Sequence, residues 1–538
     1  MSHYDYIIIG AGSAGCVLAN RLSENANYSV LLLEAGPSDK RFFVQMPIGY
    51  GKTFYQSQVN WMYTSNANAG LNGRTSYWPR GKTLGGSSSI NAMVYVRGHK
   101  QDFNDWQSAG NPGWSYDHVL PYFKRMESWQ HGADEYRGGS GPLNVSDVSA
   151  NLHPLCKHFV AAGEALGFKY NADMNGAKQE GVGYYQLTTH QGQRMSAARA
   201  YLKPARKRSN LTVMCNTSVA RILFEGKRAI GVEYQHKHKN YRANATKEVI
   251  LSAGAVNSPQ LLQLSGIGPS HVLQKAGVKQ VHESPAVGQH LQDHISHSYF
   301  YRASQPTLNQ QLQPWWGKLW QGIRYVLTRS GPLSLSINQA GGFVHTREGL
   351  DRPNIQLYFS PLSYTKAPLG ERPMMNPDPF PAYVLGISNC RVQSEGEINI
   401  TSSDPSKAPA IEPNYLTHED EIQDLLEGVK LIRKLAETSQ LQAITLDEMR
   451  PGLGCKTDAQ LIEDIRNNAD TVFHPCGTCR MGPDPKDNVV NNELKVHGLV
   501  GLRVVDASIF PNVICGNINA ATIMVGEKAA DLILTEHK

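Results

Sequence analysis

The chain of 538 residues lacks any uninterrupted apolar run of the roughly 20 residues that a membrane-spanning helix needs. It also lacks a basic segment followed by a signal-type apolar stretch: Tyr6-Ile7-Ile8-Ile9 is short and leads straight into glycines. A cytoplasmic location is therefore expected, and with it reduced thiols for the eight cysteines. Concentrated positive charge is missing as well. Fifty-two Lys and Arg against 46 Asp and Glu leave +6 over the whole length, which argues against a nucleic-acid partner and leaves room for a weak attraction to anionic lipid. Gly-Lys-Thr occurs at 51–53 and 81–83, but Met46 and Ser76 stand where a P-loop requires its first glycine. No H-E-x-x-H occurs, and Cys476-x-x-Cys479 has no second pair to complete a zinc site. His236 and His238 alternate with lysines between two strand-like segments, the pattern of a hairpin tip. With apolar residues at 41% and charged residues at only 18%, disorder is excluded as the main state.

Glycine is present in slight excess, and it clusters. Tyr4 to Ile9 predicts a buried strand, followed by Gly10-Ala11-Gly12-Ser13-Ala14-Gly15, a helical pattern through Leu22, and a second strand Val30-Leu31-Leu32-Leu33 that ends in Glu34. Strand, G-x-G-x-x-G, helix, strand and acid in this order are what a dinucleotide site requires. Gly10 makes the tight turn, Gly12 lets the backbone approach a pyrophosphate, and Gly15 lets helix and strand pack closely. The helix N-terminus offers free N–H groups to phosphate, and Glu34 can accept from both ribose hydroxyls. NAD and FAD both contain ADP, so these residues leave the choice open. A second small-residue stretch runs from Trp78 to Asn91. A third, Val249 to Ala255, reads as a buried strand leading into a helix, with Ser258 as N-cap and Pro259 in the first turn.

The opening motif with Glu34, the run Pro79 to Asn91 and Gly254-Ala255-Val256-Asn257-Ser258-Pro259-Gln260-Leu261-Leu262 together resemble the glucose–methanol–choline (GMC) oxidoreductases. The C-terminal quarter adds His474-Pro475-Cys476-Gly477-Thr478, Val505-Asp506-Ala507-Ser508 and Gly516-Asn517-Ile518-Asn519 in the family's order. The branch it looks most like is choline-dehydrogenase-like and includes membrane-associated alcohol dehydrogenases. The resemblance implies an α/β fold in which a Rossmann-like FAD-binding domain is interleaved with an α+β substrate domain containing an antiparallel sheet. It implies FAD rather than NAD. Carried over, Gly10, Gly12, Ser13, Ala14, Gly15, Glu34 and Ala35 hold the ADP half. Arg80, Gly85, Gly86, Ser87, Asn91 and Val94 line the pyrophosphate and flavin, and Val219 meets the adenine. Ala253, Gly254, Asp506, Ala507, Asn517, Asn519, Ala520 and Thr522 complete the cofactor site. Some members carry a histidine that bonds to the flavin; here that position is Ile90, so non-covalent FAD is expected.

By the same resemblance, His474 is the catalytic base and Asn519 the second member of the catalytic pair. A histidine, with an ordinary pKa of about 6.5, suits removal of a hydroxyl proton. The expected reaction is oxidation of primary aliphatic or aromatic alcohols, with electrons passed to a quinone or other acceptor. An oxidase that uses O2, a choline dehydrogenase and, more remotely, an FAD-containing hydroxynitrile lyase are the competing readings. The FAD-binding domain is expected at 1–150, 191–300 and 456–538, and the substrate domain at 151–190 and 301–455, with Asn354–Phe359 and Glu397–Thr401 among its strands. Trp316, Leu319, Trp320, Ile323 and Leu327 recur at helical spacing beside Lys318, Arg324 and Arg329. Two readings stay open there: a helix packed over the substrate domain, or an interfacial helix touching lipid on the cytoplasmic face of a membrane.

Overall fold

The computed structural model describes residues 2–364 and 376–537. Its first sheet grows from the N-terminal strand Ser2–Ile9, whose inner half is fully apolar and buried. Val30–Leu33 pairs with it in parallel, Leu211–Met214 extends that edge, and Lys239–Leu251 lies parallel on the other side. The long strand Lys239–Leu251 divides its outer edge between two partners. Its first half closes an antiparallel meander with Arg228–His236 and Thr217–Glu225, and its last three residues pair in parallel with Leu502–Val504. Strands buried on both faces read as continuous apolar runs, which is why Ile7–Ile9 and Leu31–Leu33 show no alternation. The helices Ser13–Leu22 and Asn519–Glu536 pack on each other across one face of this sheet. His236 and His238 lie at the hairpin between two meander strands, with Lys237 and His238 in left-handed backbone conformation.

The second sheet is antiparallel, in the order Thr445–Arg450, Ile295–Ala303, Ala382–Asn389, Ile355–Ser360, Ala340–Val344, Gly181–Tyr184. Here alternation is clean. Tyr299, Tyr301, Leu357, Phe359, Leu385 and Ile387 join the core beneath helix Glu419–Glu437, which lies across the sheet. Residues of the opposite parity, including Ser298, Phe300, Tyr358 and Val384, face a cavity between the two sheets.

Several expectations need correction. Besides Gly181–Tyr184 and the strands after residue 301, the antiparallel sheet takes Ile295–Ala303 and Asp470–Thr471, so it draws residues from stretches expected on the cofactor side. Glu397–Asn399 pairs only with Ala410–Glu412, in a separate two-stranded ladder. The third glycine segment also differs: the strand stops at Leu251 and the helix opens directly at Gly254, leaving Ser258 and Pro259 inside it. Pro259 has no N–H for the Ala255 carbonyl. The Thr478 hydroxyl donates to that oxygen at 2.7 Å instead, tying the histidine motif to this helix. Ser258 Oγ accepts from the Ala253 N–H at 3.1 Å and donates to Asp506 at 2.6 Å rather than capping. Finally, Trp315–Thr328 is a helix as its spacing requires, but its apolar stripe points outward and only Gly317, Gln321 and Tyr325 are buried.

Candidate active site

One continuous cavity of 1870 Å³ runs between the two sheets. At one end lies the first glycine turn. Gly10 adopts φ +97°, and a Cβ there would meet the Ser252 carbonyl at 2.4 Å. A Cβ on Gly15 would lie 2.0 Å from the Gly10 carbonyl, so this glycine sets how closely helix and strand approach. Helix Ser13–Leu22 carries no side-chain cap, which leaves its first-turn N–H groups toward the cavity. The Glu34 carboxylate accepts from the Ala11 N–H at 3.0 Å and the Gly36 N–H at 2.8 Å. Burial pushes Glu34 up to about 7, against the pull of those two amides.

Gly10, Gly12, Ser13, Ala14, Glu34, Ala35 and Val219 all line this end. Arg80, Gly86, Ser87, Asn91, Val94, Ala253, Gly254, Asp506, Ala507, Asn517, Asn519 and Thr522 line the middle, with Ile90 among them. The expected residues Gly15, Gly85 and Ala520 do not line the cavity. Gly15 sits behind the turn. Gly85, at φ +88°, donates its N–H to the Ala11 carbonyl at 2.7 Å and joins the second glycine stretch to the first. Ala520 is buried in the C-terminal helix. Asp506 is engaged by the protein itself: it accepts from the Gly254 N–H, the Ser258 hydroxyl and the Ser508 N–H. An unfilled helix N-terminus, a carboxylate held by backbone amides and a glycine-walled slot fit an adenine dinucleotide.

At the other end stands His474. The preceding residue, Phe473, has φ +69°, and the Arg80 guanidinium donates to its carbonyl at 2.7 Å. Asp293 accepts from the His474 N–H at 2.7 Å and from the Tyr415 hydroxyl at 2.6 Å, so the backbone is held from both sides. The ring is held too. His474 Nδ1 lies 3.0 Å from His294 Nδ1, and His474 Nε2 lies 3.1 Å from Asn517 Nδ2.

These contacts assign the protons. The order is set from the Asn517 side, whose NH2 faces His474 Nε2 at 3.1 Å. His474 therefore carries its proton on Nδ1, His294 Nδ1 accepts it, and the His294 proton sits on Nε2. His474 Nε2 then carries the lone pair on the cavity wall, with the Asn517 NH2 as its hydrogen-bond donor. The Gln356 amide donates to Asn517 Oδ1 at 3.4 Å and turns the Asn517 NH2 toward His474. Burial, the neighbouring His294 and the Arg80 guanidinium hold His474 well below the ordinary imidazole range. Burial likewise takes His294 down to about 4.

The amide beside His474 is thus that of Asn517, not Asn519. Asn519 is the first residue of the C-terminal helix, and its Oδ1 accepts from Ser13 Oγ at 2.7 Å, at the cofactor-shaped end. The motif contains both asparagines, and two residues of spacing at a loop-to-helix junction do not tell which one turns toward the histidine. His294 and Gln356 were missed altogether. Gln292-Asp293-His294, three polar residues just ahead of an alternating strand, was the available signal. Arg194 was missed too: fully buried, it donates to Asn91 Oδ1 at 2.8 Å and to the carbonyls of Val44, Ser88 and Pro47. Cys476 and Cys479 are free, buried thiols pushed well up by burial.

Comparison with known proteins agrees with this geometry. The chain is 44% identical over 540 residues to "Oxygen-dependent choline dehydrogenase" of Vibrio vulnificus (strain YJ016), covering 99% of this chain and 94% of that one. It is 42% identical over 535 residues to "Alcohol dehydrogenase [acceptor]" of Pseudomonas putida, covering 99% and 96%. The crystal structure of pyridoxine 4-oxidase from Mesorbium loti superposes with a TM-score of 0.89 at 31% identity, over 99% of both chains. The N-terminal GMC oxidoreductase model matches residues 4–296 and the C-terminal one residues 392–526. The chain belongs to the GMC oxidoreductase family.

Proposed function

We propose that this chain is an FAD-dependent dehydrogenase that oxidises neutral primary alcohols, aliphatic or aromatic, to aldehydes and passes the electrons to a quinone-type acceptor. The observation that carries the reading is the unprotonated Nε2 of His474, paired with the Asn517 amide on the cavity wall. A bound alcohol takes the place of the Asn517 NH2 on Nε2 and gives up its hydroxyl proton there, while the displaced NH2 steadies the same oxygen as negative charge builds on it. FAD, when bound, supplies the hydride acceptor at flavin N5. Asp293 and Arg80 keep His474 in place through its backbone, and His294 keeps its proton on the far side of the ring. Ile90, an aliphatic side chain on the cavity wall, supports non-covalent attachment.

Charge on the walls supports this choice of substrate class. The inward residues of the antiparallel sheet are neutral: Ser296, Ser298, Phe300, Tyr358, Ser360 and Val384. A quaternary ammonium is held by aromatic faces, and a carboxylate close by strengthens that attraction. Among the described residues, the acid lining this end is Asp470, which acts electrostatically on the Arg74 guanidinium. Choline is the second reading, favoured by the name of the 44% identical relative. An anaerobic panel scored by bleaching of the flavin separates the two. Faster bleaching by a neutral alcohol such as benzyl alcohol or hexanol than by choline is expected; the reverse order overturns the neutral-alcohol assignment. No bleaching by any alcohol would instead favour a lyase. Peroxide yield against reduction of a water-soluble quinone then separates oxidase from dehydrogenase.

A further inference from the structure

Helix Trp315–Thr328 turns its apolar face away from the protein. Trp315, Trp316 and Trp320 are 76%, 60% and 62% exposed. Leu319, Ile323, Val326 and Leu327 continue the same face, with Leu327 at 77%. Phe42, half exposed, extends the patch from a neighbouring helix and meets the Tyr325 ring edge-on at 6.2 Å. Scattered exposed leucines need no explanation, but a contiguous patch with three tryptophans does.

Charge narrows what can cover it. Residues 294–347 contain no Asp or Glu and five Lys or Arg. Lys318 and Arg324 stand exposed on the helix, Arg329 ends it over the Tyr325 ring, and Lys40, Arg41 and Lys52 are exposed beside Phe42. Asp39, next to this rim, accepts from the Gln45 side chain. Tryptophans and aliphatic side chains ringed by cations, on a helix lying flat against the protein, match the headgroup zone of an anionic bilayer. Among the described residues no helix is long and apolar enough to cross a membrane, so the contact is peripheral.

We infer that this face docks on an anionic lipid bilayer, with the helix axis in the membrane plane. The placement has a consequence for the cavity. Leu312, the last residue of the short helix Leu308–Leu312 that precedes Trp315–Thr328, lines a small void with Ile48, Tyr50, Ile337 and Leu362, and the last three also line the large cavity. That short helix, joined to the lipid-facing one through Gln313 and Pro314, is therefore one side-chain layer from the cavity, where apolar substrates and a lipid-soluble acceptor would arrive.

Co-sedimentation of the flavin-loaded protein with vesicles tests this. Binding to vesicles containing phosphatidylglycerol, and much weaker binding to pure phosphatidylcholine, is expected. Trp316→Ser/Trp320→Ser should lower the vesicle-bound ratio by at least about tenfold. Lys318→Glu/Arg324→Glu should weaken binding to the anionic vesicles alone. Flavin absorbance and turnover with a soluble dye should stay unchanged in both, since these side chains lie on the outer surface. Failure of the unsubstituted protein to bind either vesicle overturns the inference. So does equal binding by the tryptophan variant. A dimer in lipid-free solution that the tryptophan variant converts to monomer would assign the patch to a second copy of the chain instead, and would also overturn it.

Discussion

The two ends of the cavity are built in opposite ways. The cofactor-shaped end is local: Gly10, Gly12, Gly15 and Glu34 come from one strand–helix–strand unit, and its contacts are backbone amides meeting a carboxylate. The reactive end is assembled from His294, Gln356, His474 and Asn517, separated by up to 223 residues and held by side-chain contacts across both sheets. A local unit tolerates change elsewhere in the chain. An assembled one depends on every strand that delivers a member. Substitutions at the reactive end should therefore alter rate while the flavin stays bound, and substitutions at the cofactor end should do the reverse.

The largest effect should fall on His474. His474→Ala is expected to slow flavin reduction by alcohol about 10²-fold or more, with flavin content per chain unchanged. Stopped-flow absorbance measures both, and a near-native rate would break the assignment. The pH profile sharpens it. Only neutral His474 can take the proton, and its pKa is held down by burial and by His294 and Arg80. The acid limb of kcat/KM should therefore lie below the ordinary histidine range, with activity retained as pH falls through about 6.5. A limb at or above that value would show that the imidazole is solvated. Replacing His294 by a residue of similar size, as in His294→Asn, removes one of the depressing neighbours and should move the limb upward.

Next in size is the contrast between the two asparagines, which sit two residues apart and belong to different ends. Asn517→Ala removes the amide beside Nε2 and should cost on the order of 10²-fold in kcat with flavin retained. Asn519→Ala removes the acceptor for Ser13 Oγ and should leave kcat within a few-fold while flavin dissociates more readily. Equal losses in kcat from both would collapse the distinction between the ends.

This contrast also shows what could be read without coordinates. Gly10 to Glu34 was legible because its chemistry lies in consecutive residues whose spacing is its geometry. His474 was legible through its motif. Asn517 and Asn519 were not separable, because direction at a helix start depends on what the helix packs against. Ser258 and Pro259 misled because proline is common in a first helical turn, and only the distant Thr478 hydroxyl makes it tolerable mid-helix. Periodicity located helix Trp315–Thr328 correctly, yet an apolar stripe does not say whether protein or another apolar phase lies on its far side.

The smallest expected effect tests the cofactor end by itself. Glu34 presents one oxygen to the Ala11 N–H and the other to the Gly36 N–H. Glu34→Gln keeps the shape but turns an NH2 toward one of those donors. It also withdraws one of the oxygens that would accept from the ribose hydroxyls, which should cost roughly tenfold in flavin affinity, about 1.4 kcal/mol, and leave the rate at saturating flavin unchanged. Glu34 is pushed up to about 7 by burial in the flavin-free protein, so its protonated fraction grows as pH falls through that value. A protonated carboxyl, like the Gln amide, has one oxygen that no longer accepts freely. The affinity of the unsubstituted protein should therefore decline from pH 8 toward pH 6 and approach that of Glu34→Gln, whose own affinity stays flat. Titrating flavin into both proteins across this range measures the two curves. Parallel curves would mean that Glu34 keeps its charge throughout, and that the two amides outweigh its burial.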